Sequence, residues 1–106
     1  MARADAAMLK RLEERAADAA QMLKLLANET RLLILCRLVV EGEMSAGAIV
    51  SAAGLGQSAV SQHLAKLRDD GLVTTRRDAQ SIYYRIADKN VARIIAILKD
   101  IYCREA

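Results

Sequence analysis

The sequence predicts a mainly helical α+β fold, with five helices and one two-stranded β-hairpin in a single domain spanning residues 1–106. Three observations predict it. Apolar residues recur at helical spacing through most of the chain. The β-branched and aromatic residues Val73, Thr74, Thr75, Ile82, Tyr83, Tyr84 and Ile86 support a hairpin between positions 72 and 86. Gly marks the element boundaries, because the chain contains no Pro. Phe and Trp are also absent, so the core must be built from Leu, Ile, Val, Ala and Met, which suits packed helices better than a sandwich.

Each element has a local cause. Residues 5–26 carry a helical stripe through Met8, Leu9, Leu12, Ala16, Ala19, Leu23 and Leu26, with Lys10, Arg11, Glu14, Arg15 and Asp18 elsewhere. Asn28 caps a second helix over 29–41, and Glu29 sits favourably in its positive first turn. That helix contains LLILCRLVV, is apolar almost all round, and reads as the buried centre. Gly42 ends it. Ser45 caps a short third helix, 46–53, which stops at Ala53-Gly54-Leu55-Gly56.

A fourth helix follows over 57–70 and terminates at Gly71. Val60, Leu64 and Leu67 form its core edge, while Ser58, Ser61, Gln62, Ala65 and Asp69 project from the other side. Two strands come next, 72–77 and 82–86, joined by Asp78-Ala79-Gln80-Ser81. A last helix, 89–104, gathers Val91, Ile94, Ile95, Leu98, Ile101 and Tyr102 on one face. Two helices joined by a tight Gly-containing turn make a helix-turn-helix, and the hairpin that follows at once makes it winged.

This order gives the fourth helix a chemical reading. A helix that reads DNA needs one face anchored in the core and another carrying short hydrogen-bonding groups near its N-terminus. Gln57, Ser58, Ser61 and Gln62 meet that need, since Gln pairs bidentately with adenine and Ser donates or accepts. His63 and Lys66 lie toward the flank, where phosphate contact is the better assignment. Arg76, Arg77 and Arg85 on the wing would meet the DNA backbone or the adjacent minor groove. A polar helix face or an arginine pair taken alone is usually just solvated, and only the element order turns these residues into an interface.

Charge agrees without deciding. The net charge is +3, only mildly basic. Residues 56–86 hold Lys66, Arg68, Arg76, Arg77 and Arg85 against Asp69, Asp70 and Asp78, the most basic balance along the chain. The N-terminal residues are charged throughout, unlike a secretory signal, and no apolar run approaches a bilayer span. A cytoplasmic protein is the expectation. Cys36 and Cys103, without CxxC or CxH spacing, should then rest reduced. A chain this small with long apolar faces is also expected to pair with a copy of itself. No nucleophile–base pair, phosphate-binding loop or acidic metal cluster points to an enzyme, and no cofactor is expected.

Two strings carry a resemblance: LLANETRLLILCRL, and SAGAIVSAAGLGQSAVSQHLAKLRDDGLVTTRRDAQSIYYRIAD. Together they resemble the ArsR/SmtB family of bacterial winged helix-turn-helix repressors over residues 20–90. SAVSQHLAKLRDDGLV followed by RR, Q and YYRI looks like that family's recognition helix and wing. Glu29 stands where many relatives carry Pro, and suits an early helix position equally. The resemblance implies a homodimer built by the first and last helices, with each fourth helix in one half of an inverted-repeat operator.

The resemblance also bears on the signal. Metal-sensing relatives carry a CxC-type motif or Asp, His and Glu ligands on the last helix; this chain has neither, and its single His is His63. Cys36 and Cys103 instead resemble the persulfide- and redox-responsive branch (BigR- and SqrR-like), which implies that sulfane sulfur or oxidant bridges them and lifts repression. The residues alone leave the matter open. Cys36 has Leu32, Leu33, Val39 and Val40 at helical spacing, a setting that raises a thiol pKa and fits a small core hydrophobe. Cys103 has Lys99 one turn back and Arg104 adjacent, which favour thiolate, while the helix C-terminus opposes it. A metal- or metalloid-responsive repressor using both thiols, and a winged-helix protein-interaction module, are the competing readings.

Overall fold

The computed structural model describes residues 3–103, with side-chain surroundings from residue 5 onward. Helix α1 (Arg3–Glu14) runs into α2 (Ala16–Leu26), followed by α3 (Glu29–Glu41), β1 (Met44–Ser45), α4 (Ala46–Ala53) and α5 (Gln57–Asp69). The hairpin strands are β2 (Val73–Asp78) and β3 (Ser81–Ile86), and α6 (Lys89–Tyr102) follows. The winged helix expected from the sequence is present, with two additions.

The first addition is a break at Arg15. Its backbone (φ −112°, ψ 13°) leaves the helical region, so the single helix expected over 5–26 becomes α1 and α2. The Arg15 side chain turns to Asp18, donating from Nε at 2.8 Å. The second addition is β1, which pairs antiparallel with β3 through Met44 opposite Tyr84 and Ser45 opposite Tyr83. The hairpin thereby becomes a three-stranded sheet in the order β1-β3-β2.

The α2–α3 joint shows how local chemistry fixes the frame. Asn28 Oδ1 accepts the Arg31 backbone N–H at 3.0 Å, capping α3 as expected. The Arg31 guanidinium reaches back to the carbonyls of Leu25, at 2.8 Å, and Lys24, at 3.4 Å. Both are last-turn carbonyls of α2, and that of Lys24 also accepts the Ala27 backbone N–H, at 3.3 Å. Ser45 caps α4 by accepting from the Ala48 N–H, and Gly54 ends it in the left-handed region (φ 68°).

Helix α3 is the hub, touching α2, α4, α5, α6 and β3. Its Ile34, Leu35 and Leu38 are sealed from solvent with Ile49 of α4, Val60, Leu64 and Leu67 of α5, and Val91 and Ile95 of α6. Full burial of each such side chain contributes about 1.5–3 kcal/mol. Among the described residues the fully buried ones are all apolar. Helix α5 is therefore anchored through its inner edge to the core against which Cys36 packs.

Candidate nucleic-acid interface and thiol pair

The helix-turn-helix is α4, the Gly54-Leu55-Gly56 turn, and α5. Val60 and Leu67 are completely buried and Leu64 nearly so, which fixes the rotation of α5 on the core. Gln57, Ser58, Ser61 and Gln62 then stand together on the exposed side, at the i, i+1, i+4 and i+5 spacing of one helical face. His63 is half-buried beside this face. Lys66 is exposed and lies 3.6 Å from Asp70 on the last turn.

The wing is tighter than the sequence indicated. Asp78 pairs with Ser81, leaving a two-residue loop of Ala79 and Gln80 in place of the four-residue connection expected. Such a loop needs positive φ to match the strand twist, and Ala79 supplies it at 56°. Arg77 and Arg85 are exposed. Arg76 is differently placed: its guanidinium is forked onto Glu43, with Nε–Oε2 at 2.8 Å and Nη2–Oε1 at 2.7 Å. It also lies 4.6 Å from the centroid of the Tyr83 ring. The Arg76 hydrogen bonds hold the Glu43 carboxyl below its ordinary range, with Arg85 adding a smaller charge effect. Sequence reasoning found Arg76 but neither partner, because a two-residue strand has no periodicity to place Glu43 against the wing.

The thiols sit on α3 and just beyond α6. Cys36 is half-buried and packs against the core, while Cys103, at the C-cap of α6, is exposed; both are free. Burial raises the pKa of Cys36, as its apolar neighbours on the helix foretold, and the charge of Cys103 raises it further. The packing of α6 on α3 thus brings the two thiols within electrostatic reach of each other. Cys36 also opens to a groove of about 360 Å³ between α3 and α4, walled by Leu33, Arg37, Val40, Ile49 and Ala53. Arg104, the cation read beside Cys103, lies outside the described residues; α6 ends at Tyr102 with Cys103 as its C-cap, short of the expected 104. Among the described residues no group of three or more His, Cys, Asp and Glu side chains is arranged to hold a metal.

Known proteins share this fold. Residues 28–75, from the cap of α3 into β2, match the bacterial regulatory protein arsR family. The transcriptional activator HlyU of Vibrio cholerae is 46% identical over 96 residues, covering 91% of this chain and 88% of that protein. The chain belongs to the arsR family. A structure of reduced HlyU from V. cholerae superposes with a TM-score of 0.82 at 45% identity, covering 90% of this chain and 99% of that one. The transcriptional repressor BigR from Xylella fastidiosa gives a TM-score of 0.82 at 38% identity, covering 99% of this chain and all of that one. This arsR-family chain is accordingly a DNA-binding transcriptional regulator with a winged helix fold, and not an enzyme. No helix among its described residues is long and apolar enough to cross a membrane.

Proposed function

We propose that this regulator is a cytoplasmic dimeric repressor that holds an inverted-repeat operator while its thiols are reduced and releases it when Cys36 and Cys103 become bridged. The observation that supports the reading is the packing of α6 on α3, which carries Cys36, with Cys103 following at the C-cap of α6 and its charge acting on Cys36. That a related regulator was solved in a form described as reduced fits the same chemistry.

The two environments divide the work. Cys103 is exposed and meets an incoming persulfide first. Its thiolate attacks the outer sulfur of RS–SH, giving Cys103–S–SH and releasing RSH. Cys36, part-buried and reluctant to ionise, then resolves it: attack on the inner sulfur forms Cys36–S–S–Cys103 and expels hydrogen sulfide. If both thiols are first persulfidated, condensation gives a trisulfide and one molecule of hydrogen sulfide. An oxidant of the peroxide class reaches the disulfide by way of a sulfenic acid, with loss of water.

Dimerisation falls to the first and last helices. Met8, Leu9 and Leu12 of α1 and Ile97, Ile101 and Tyr102 of α6 are exposed, the last at 79%, and offer apolar surface for a partner protomer to cover. On the DNA side, Gln57, Ser58, Ser61 and Gln62 address base edges in the major groove, His63 and Lys66 the phosphates, and Arg77 and Arg85 the backbone beside the wing.

The test combines intact mass with DNA binding on the same samples, before and after glutathione persulfide. A Cys36–Cys103 bridge appearing together with loss of binding supports the reading, and Cys36→Ser and Cys103→Ser should each bind constitutively. Release that persists in both serine variants would sink it.

A further inference from the structure

The outward face of the sheet carries a cluster that the DNA-reading scheme leaves unused. Residues paired directly across a ladder share a face. Val73, Tyr84 and Ile86 take the core side, so Arg76 with Tyr83, and Thr74 with Arg85, stand on the outward side. There Arg76 reaches across β3, over the Tyr83 ring, to the carboxylate of Glu43. Asp78 Oδ2 lies 3.8 Å from its remaining Nη1. Glu43 immediately precedes β1 in the segment that leads from α3 into the helix-turn-helix. The contact therefore spans the sheet from its β2 edge to the approach of α4.

We infer that Glu43 and Arg76 are positioning residues, a forked pair stacked on Tyr83 that sets the pitch of the wing against the helix-turn-helix, and that Arg77 supplies the wing's phosphate contact. The inference rests on the reading that the wing meets DNA. Three features support it. The planar fork of Arg matches a carboxylate bidentately, which fixes direction as well as distance. The clamp is self-neutralised, with Arg76 set between Glu43 and Asp78. Arg77 pairs with Ile82 on the opposite face, the side on which α5 packs against β2.

The experiment measures binding to a duplex selected from a random-sequence library by the wild-type protein, across a salt series. Arg76→Gln and Glu43→Gln should each weaken binding by about two- to fivefold, the scale of an exposed ion pair. Both should keep the wild-type slope of log K against log salt. Their double variant should be no weaker than either single one, because one contact is lost in all three. Arg77→Gln should flatten the slope by about one per protomer. The inference is overturned if Arg76→Gln flattens the slope as Arg77→Gln does, if Glu43→Gln tightens binding by freeing a cation, or if neither clamp variant changes affinity. Failure of the wild type to select any duplex would instead refute the DNA-binding reading beneath it.

Discussion

Replacing Ala79 with Gly should stabilise the wing, although the change removes a methyl group and adds no contact. Ala79 is the one non-Gly residue with positive φ among those described, at 56°. It stands first in the two-residue loop between Asp78 and Ser81, where the twist of β2 on β3 demands that conformation. An L-residue held there loses roughly 1–2 kcal/mol to the clash of its Cβ with the backbone. Gly removes the clash but enlarges the unfolded ensemble, which offsets about 0.4–1 kcal/mol. The Ala79 side chain is exposed, so no packing is forfeited. The balance favours the Gly hairpin by about 0.5–1 kcal/mol. Amide exchange along β2 and β3 reads local opening of the hairpin, and it should slow about two- to fivefold at fixed pH. Ala79→Asn, which visits the left-handed region readily, should recover part of the gain. Exchange that is unchanged or faster in Ala79→Gly would refute the claim that this turn is strained.

Four further outcomes follow from the same structure. Asn28→Ala removes the acceptor for the Arg31 N–H and should lower stability by about 1 kcal/mol, read by urea unfolding at fixed protein concentration. Leu64→Ala empties a core position on the reading helix and should cost about 2–5 kcal/mol in the same titration, well beyond the loss of the cap. Maleimide labelling of Cys36 should follow a pH–rate profile displaced above that of an ordinary thiol. Cys103→Ser should bring that profile only part of the way back, because burial is the larger cause, and a complete return would contradict that order. Ile97→Glu places a charge on the exposed apolar edge of α6 and should convert a dimer to a monomer in sedimentation equilibrium; a monomeric wild type would remove the dimer reading.

Legibility followed the strength of local signals. Helices α3 and α4 begin and end where Asn28, Gly42, Ser45 and Gly54 placed them, because each boundary is a short-range contest between side chain and backbone that sequence states openly. The exposed row from Gln57 to Gln62 was legible for a related reason: three buried residues on α5 dictate what faces outward. The break at Arg15 had no such sign. It contains no Gly or Pro, and the apolar stripe continues through it, so periodicity reads one helix where the backbone makes two. Strand β1 is invisible for the opposite reason, since two residues hold no period and their pairing is decided by β3, far along the chain. Glu43 shares that fate. The sequence reads as a four-residue wing loop because Ala-Gln lacks the Asn-Gly or Asp-Gly chemistry that announces a tight turn.

The placement of Cys36 explains how a small chemical change could reach DNA. The thiol lies on α3, the helix against which α4, α5 and α6 all pack, and its neighbours Leu35 and Leu38 are buried in the shared core. Cys103 lies at the end of α6 that also carries Ile97, Ile101 and Tyr102, the apolar edge assigned to the partner protomer. A bridge would therefore pull on the dimer contact and on the hub of the reading motif in one step. Packed interiors respond by shifting as bodies and not by local yielding, so the displacement is passed on to α5. Two reading helices must match half-sites about one helical turn of DNA apart, roughly 34 Å, and a small rotation of each protomer at α6 is amplified over that span. The thiol need not touch DNA for this to work. Under the proposed mechanism it needs only to sit where one covalent bond would join the surface that sets the spacing to the helix that holds the reader, with Cys36 on α3 and Cys103 at the end of α6.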